Sequence, residues 1–334
     1  MSSLRKTLRS AILGDSDLPQ QCAVGLRDPQ MEVRVELHGL STPRDVTRRH
    51  MIACASPFTI GIGLDAQLSM EVADASNLSL KFFEREGDQR LLASIELRLT
   101  SSVPAGAQEL FLFEVGSVQN HCLPKPRLWA HYLFLAYLRW RGSRTRKPGE
   151  IPMVARGIHA GIVCFICPRP VVLVSVPAGD AGDAGNMFPM NLMGPVGDGW
   201  FAFSLNTTRQ ASPLVQRAGR VALSDLPFEQ SDRARELRGN HKRESIRWKD
   251  LQFPTRTSAA FGIPVPDFAL RVREMEIETV RRLGSHTVFV ARIVHEERCS
   301  DGLQFFMIHG IYQAWRLRQR PDLSELPTDL RPAC

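Results

Sequence analysis

Through the second half of the chain, short runs of Val, Ile, Leu and Phe are bounded by Gly, Pro, Asp and Asn, as at Val171–Val176, Trp200–Leu205, Val221–Leu223 and Val288–Val294. Runs of this length and composition predict strands. The Gly- and Asp-rich stretch from Val176 to Gly185 predicts a loop between two of them, because both residue types suit tight turns. Residues 213–218 predict a short helix and residues 232–249 a charged one. Parallel strands need a crossover of a dozen or more residues, usually a helix, and such helices do not occur regularly between these strands. The pattern therefore predicts a mainly β chain with a few helices, antiparallel and barrel-like.

The two halves are alike in outline. Arg49-His-Met-Ile-Ala-Cys-Ala-Ser-Pro and Ile158-His-Ala-Gly-Ile-Val-Cys-Phe-Ile-Cys-Pro share His, Cys and Pro in order, and a Tyr-x-x-Trp-Arg closure occurs at Tyr137–Arg141 and again at Tyr312–Arg316. Self-similarity of this kind points to a duplicated unit. The second copy is the longer, so its additional residues are where chemistry is expected. Between the copies, Arg139-Trp-Arg-Gly-Ser-Arg-Thr-Arg-Lys-Pro-Gly places five basic residues within nine positions beside turn formers, which predicts a solvated connector and a domain boundary. Arg interleaved with Trp can pair phosphates and stack bases, but a solvated charge run is the commoner case, and no nucleic-acid partner is expected.

A chain of 334 residues has room for two domains. At 43% hydrophobic and 23% charged, it is neither disordered nor collagen-like. The formal charge of +7 arises largely from the one basic cluster. The longest apolar stretch, Trp129–Leu138, is ten residues, below the ~18–20 of a membrane span, so neither a transmembrane helix nor a membrane partner is expected. The N-terminus lacks the apolar core of a secretory signal, and seven scattered cysteines do not make a disulfide framework. A cytoplasmic location is the expectation.

Several motifs have plainer explanations than the chemistry they suggest. Gly61-Ile-Gly63-Leu-Asp-Ala66 matches a dinucleotide fingerprint, but that fingerprint needs a helix to follow, and the residues after it alternate as in a strand. Cys164-Phe-Ile-Cys167 lacks a second ligand pair, and in a strand residues three apart face opposite ways, so two buried thiols are expected and no metal. His131, His159 and His309 sit among apolar residues and are expected to be structural. The informative constellation is Asn186-Met-Phe-Pro189-Met190-Asn191, then, after a strand, Asn206-Thr207-Thr208-Arg209-Gln-Ala-Ser212 just before a short helix. Hydroxyls, a guanidinium and a helix N-terminus can hold a phosphate; an ordinary capped turn has the same composition, and the local sequence favours it.

From Pro168 to Arg316 the chain resembles the flavin reductase-like family of FMN-binding split barrels. The resemblance rests on Pro-Arg-Pro-Val-Val-Leu-Val-Ser at 168–175, Gly-Asn-x-x-Pro-x-Asn at 185–191, the polar turn at 206–212, Gly219-Arg-Val-Ala-Leu, Gly284-Ser-His286-Thr-Val-Phe-Val and the Tyr312 closure, in the family's order. It implies an antiparallel split β-barrel in which Asn186, Pro189, Met190 and Asn191 line the isoalloxazine and ribityl side of FMN. It also implies that Asn206, Thr207, Thr208, Arg209 and Ser212 hold the phosphate, and that His286 is the catalytic-site histidine near the flavin or an incoming nicotinamide. Asn191 stands where the family usually has Ser, and Ser212-Pro213 where Asp-Thr is common.

The activity so implied is an FMN-dependent oxidoreductase of the flavin reductase type, passing hydride from NAD(P)H to flavin and on to a free flavin or small organic acceptor, with a partner oxygenase as one recipient. The alternative is a non-enzymatic flavin-binding or scaffold protein built from duplicated barrels. Residues 1–45 are then an N-terminal extension, 46–142 a degenerate split-barrel-like domain without flavin motifs, 143–150 a basic linker, 151–320 the FMN-binding domain and 321–334 a tail. The family places FMN at a dimer interface, so a homodimer or an intrachain pseudodimer is expected.

Overall fold

The computed structural model describes residues 21–28, 32–85, 88–143, 153–179, 183–319 and 328–329. Most of the expected basic linker and of the C-terminal tail, and the first twenty residues, lie outside the described residues. In the first half, β1 (Gln21–Leu26), β2 (Val33–His38), β3 (Arg44–Asp45), β4 (His50–Ala55) and β5 (Phe58–Asp65) are followed by helix α1 (Ser69–Asp74), β6 (Ser79–Glu84), β7 (Leu91–Ala105), β8 (Gln108–Asn120) and helix α2 (Lys125–Ser143). The segments β2 to β8 form one antiparallel sheet of order β3-β2-β6-β7-β8-β5-β4. Residues in β2 alternate between buried and half-buried, as the period of two of a one-sided strand requires.

The second half begins with helix α3 (Ala155–Cys164), β9 (Arg169–Pro170), β10 (Val172–Pro177), β11 (Ala184–Met190), β12 (Met193–Gly197), β13 (Trp200–Asn206), helix α4 (Ala211–Ala218) and β14 (Arg220–Asp225). Helix α5 (Ser231–Leu237), β15 (Ile246–Arg247), β16 (Thr255–Thr257) and β17 (Pro264–Pro266) intervene before the long hairpin β18 (Arg271–Leu283) and β19 (His286–Arg298), then β20 (Gln304–His309) and helix α6 (Gly310–Gln319). Eight of these strands form a half-barrel of order β12-β13-β19-β18-β14-β10-β11-β15. Val174, Phe188, Phe203, Leu223 and Phe289 fill its interior. The chain is thus mainly β and antiparallel with few helices, as the pattern predicted.

The two sheets have the same connectivity. From β4 the first runs β4-β5-β8-β7-β6-β2-β3, and from β12 the second runs β12-β13-β19-β18-β14-β10-β11, with α1 and α4 in equivalent slots. The duplication starts elsewhere than the short matches suggested: β4 corresponds to β12, whereas residues 155–164 are helix α3, whose Gly157 and Gly161 lie against Phe58. Residues 21–45 supply β1, β2 and β3 where an extension was expected. Six residues of β1 pair with β20, from Gln21↔His309 to Leu26↔Gln304. Glu32 accepts from Tyr312 and Arg316 of α6, so the chain's beginning is tied to its end.

Met51, Ala53, Leu110 and Leu112 of the first sheet pack against Val196, Ala202, Val288 and Val290 of the second. The hairpin turns meet reciprocally across this core. A Cβ on Gly284 (φ +45°), in the β18–β19 turn, would lie 2.2 Å from Ser56 O in the β4–β5 turn; one on Gly106 (φ +65°), in the β7–β8 turn, would lie 2.5 Å from Trp200 Nε1 at the β12–β13 turn. Only glycine permits such approach. The Gly-x-Gly pattern has the same cause: it lies in β5, and a Cβ on Gly63 would meet Val196 O at 2.2 Å; the residues after it, expected to continue as a strand, instead turn into the short helix α1.

Candidate functional site

A cavity of about 450 Å³ opens where the end of β11, the end of β13 and the start of β19 converge. Pro189, Met190 and Asn191 come from the first, Ser204 and Asn206 from the second and His286 from the third, with Arg209 just beyond. Sheet register sets part of this: Asn206 and His286 are directly paired across β13 and β19. Pairing of β1 with β20 brings in Gln21 and Met307, and Asn191 Nδ2 lies 3.3 Å from Met307 Sδ.

Of the residues expected at the site, Pro189, Met190, Asn191, Asn206, Arg209 and His286 line this one cavity. Asn186 does not. It is fully buried, and its Nδ2 donates to Asn240 O and Arg243 O at 3.0 and 2.9 Å, pinning the turn after α5. Thr207, Thr208 and Ser212 also lie off the cavity wall. The Thr207 hydroxyl donates to Ser285 O, the Thr208 hydroxyl and N–H both donate to Asn206 Oδ1, and Ser212 N–H donates to Arg209 O. Those donors are used within the protein, Thr207 towards the β18–β19 turn and the others within their own turn.

The segment pinned by Asn186 adds Arg238 and His241 to the cavity. In sequence they belong to the charged segment 232–249, where nothing separates them from their solvated neighbours. Among the described residues neither Arg209 nor Arg238 has a carboxylate partner. His241 donates from Nε2 to Pro189 O at 2.8 Å. Burial, seconded by the charges of Arg209 and Arg238, holds its pKa below the ordinary histidine value. The two guanidiniums, both close enough to His241 to act on its charge, thus give the cavity a cationic part.

His286 is positioned with the help of the first half of the chain. Ser56 N–H donates to Ser285 Oγ at 3.0 Å, and Ser285 Oγ is 2.9 Å from His286 Nδ1, which also faces Ala55 N–H at 3.4 Å. With Nδ1 the acceptor of both, the ring's proton belongs on Nε2. Burial lowers the His286 pKa to about 4, so the ring is neutral near pH 7. At the equivalent place in the first sheet, Asp65 pairs with Gln108. That position carries an acid and no imidazole.

Cys164 ends α3 and Cys167 follows in the next turn; burial pushes their thiols up to about 11 and about 12. Among the described residues there is no cluster of three or more His, Cys, Asp or Glu able to hold a metal ion.

Residues 165–316 match the family model described as the flavin reductase like domain. Among solved structures the chain is similar to the NADH:FAD oxidoreductase SgcE6 of Streptomyces globisporus C-1027, at 17% identity over 49% of this chain and 95% of that one, with a TM-score of 0.41. It is also similar to an FMN-binding protein from Thermus thermophilus (22% identity, 46% and 78% covered, TM-score 0.35). A third is the styrene monooxygenase flavin reductase of Pseudomonas putida S12 (17% identity, 45% and 93% covered, TM-score 0.37). No curated protein matches the chain.

Proposed function

We propose that the protein is an FMN-dependent oxidoreductase of the flavin reductase type, with its flavin in the cavity between Arg209 and His286. The observation that carries this is one cavity, within the residues matched by the family model, lined both by two guanidiniums without a carboxylate partner among the described residues and by an oriented neutral imidazole. The donor set fits a flavin mononucleotide. Arg209 and Arg238 would take the phosphate by charge-assisted hydrogen bonds, Pro189, Met190 and Asn191 would flank the ring system, and His286 would present Nε2–H. When bound, FMN supplies hydride acceptance from NAD(P)H and onward transfer to a free flavin or a small organic acceptor.

The chain's own part is binding, orientation and exclusion of water. Met190 and Met307 are buried beside the cavity and offer apolar surface, while the Ser56–Ser285–His286 chain holds one imidazole tautomer. The first half acts as the built-in partner subunit, and a partner oxygenase is one recipient of the reduced flavin. Purified protein is expected to take up one FMN and to oxidise NADH or NADPH in the presence of free flavin. Protein that binds FMN but shows no turnover with free FMN, FAD or simple acceptors would instead be a flavin-binding scaffold, and protein that takes up no flavin would refute the assignment of the cavity.

A further inference from the structure

Helix α2 is apolar on two opposite faces. On one, Leu135 is buried, Leu128 and Tyr132 pack on the main core, and Tyr132 stacks on His159 with ring centroids 3.6 Å apart. On the other, Trp129, Leu133, Tyr137 and Trp140 are 68%, 65%, 49% and 56% exposed. At 3.6 residues per turn these four positions fall within roughly 80° of one another, a single stripe about 16 Å long. Helices that are apolar all round are normally buried. An exposed contiguous stripe with two Trp, a Tyr and a Leu marks an interaction surface.

Charge selects the occupant. No Asp or Glu occurs between Glu114 and Glu150, while α2 carries Lys125, Arg127, Arg139 and Arg141. A second copy laid against the stripe would set one all-basic segment on another with no acid between them. Protein surfaces carry both signs, whereas this segment carries only one. A bilayer containing anionic lipid offers what both features need: a uniformly negative surface for the Arg and Lys side chains, and an interfacial zone that suits Trp and Tyr above an apolar interior that takes Leu.

We propose that α2 docks the protein on an anionic membrane surface, lying in the plane of the interface with Trp129, Leu133, Tyr137 and Trp140 towards the lipid. This is distinct from spanning: none of the described helices is long and apolar enough to cross a membrane. It revises the expectation, drawn from the length of the apolar stretch alone, that there is no membrane partner. It is independent of the proposed flavin chemistry.

The test is sedimentation of the full chain with vesicles of phosphatidylcholine alone and of phosphatidylcholine and phosphatidylserine in equal parts. The protein should pellet with the mixed vesicles, release at high salt, and partition at least about tenfold less onto the neutral ones. Replacing Lys125 and Arg127, both exposed on α2, by Gln should weaken binding about 25-fold, at about fivefold per basic residue. Trp129→Ser with Leu133→Ser and Tyr137→Ser should abolish it while leaving circular dichroism and flavin content unchanged. Equal partition onto both vesicles, no pelleting with either, or undiminished binding by the serine variant would overturn the proposal. So would light scattering that shows a dimer of the parent protein and a monomer of that variant, which would identify a second copy as the occupant.

Discussion

Replacing Arg209 by Ala tests the site where its chemistry is most specific. Arg209 is half-buried at the end of the β13 turn and shares the cationic part of the cavity with Arg238. The neighbouring hydroxyls already donate within the protein, so the guanidiniums carry most of any phosphate recognition. A hydrogen bond to a charged group contributes about 1.5–3 kcal/mol, which converts to roughly 10- to 150-fold in Kd. Because Arg238 remains, the lower part of that range is expected, and the Arg209→Ala, Arg238→Ala double variant should reach its upper part. The assay is quenching of flavin fluorescence, with FMN and riboflavin titrated in parallel. Riboflavin lacks the phosphate, so its affinity should change by less than about twofold. Equal FMN affinity for parent and variant would remove Arg209 from the site. An equal loss for riboflavin would show that the substitution disturbs the turn and not a phosphate contact.

Acid should destabilise the protein in a defined window. Burial lowers the His286 pKa to about 4 and the His309 pKa to about 3, from an ordinary value of 6.5. Unfolding therefore takes up protons between those values, so stability is full above about pH 6.5 and falls towards pH 4, with His286 contributing about 3 kcal/mol. Urea midpoints that stay constant from pH 7 to pH 5 would contradict this, and His286→Gln should flatten the slope. Gly284→Ala adds a Cβ in the left-handed region 2.2 Å from Ser56 O; a loss of about 1–3 kcal/mol in denaturant unfolding is expected, along with weaker flavin binding through the displaced His286. Because Asp65 and Gln108 occupy the equivalent position in the first sheet, released flavin should amount to one per chain, and two would show that the first sheet holds a site of its own.

Much of the second half was legible because local features decide it. The short β-branched runs bounded by turn formers are strands, and the helix expected at 213–218 lies within α4. The Asn-x-x-Pro-x-Asn segment and the polar turn fall at the ends of β11 and β13, and five of the nine residues proposed from them line one cavity together with His286. The misplacements have a common source. Asn186, Thr207, Thr208 and Ser212 are polar in a polar context, and nothing local reveals whether a side chain faces a cavity or its own backbone. Arg238 and His241 were hidden among similar charges, because their place depends on two hydrogen bonds from Asn186, more than fifty residues away.

What the sequence determined by itself is the β character of the chain, the resemblance of residues 168–316 to a known family and the polar segments from which the candidate site is built. These follow from periodicity, turn chemistry and local motifs, which act over a few residues. Only the tertiary structure decided that residues 21–45 belong to the sheets, that the duplication pairs β4 with β12, and that the first half reaches His286 through Ser56 and Ser285. Each of these depends on contacts between residues far apart in sequence, such as Gln21 with His309 or Ser56 with Ser285. Such contacts form where apolar faces are buried together and backbone donors find acceptors, and no local window of sequence records which distant strand will supply them.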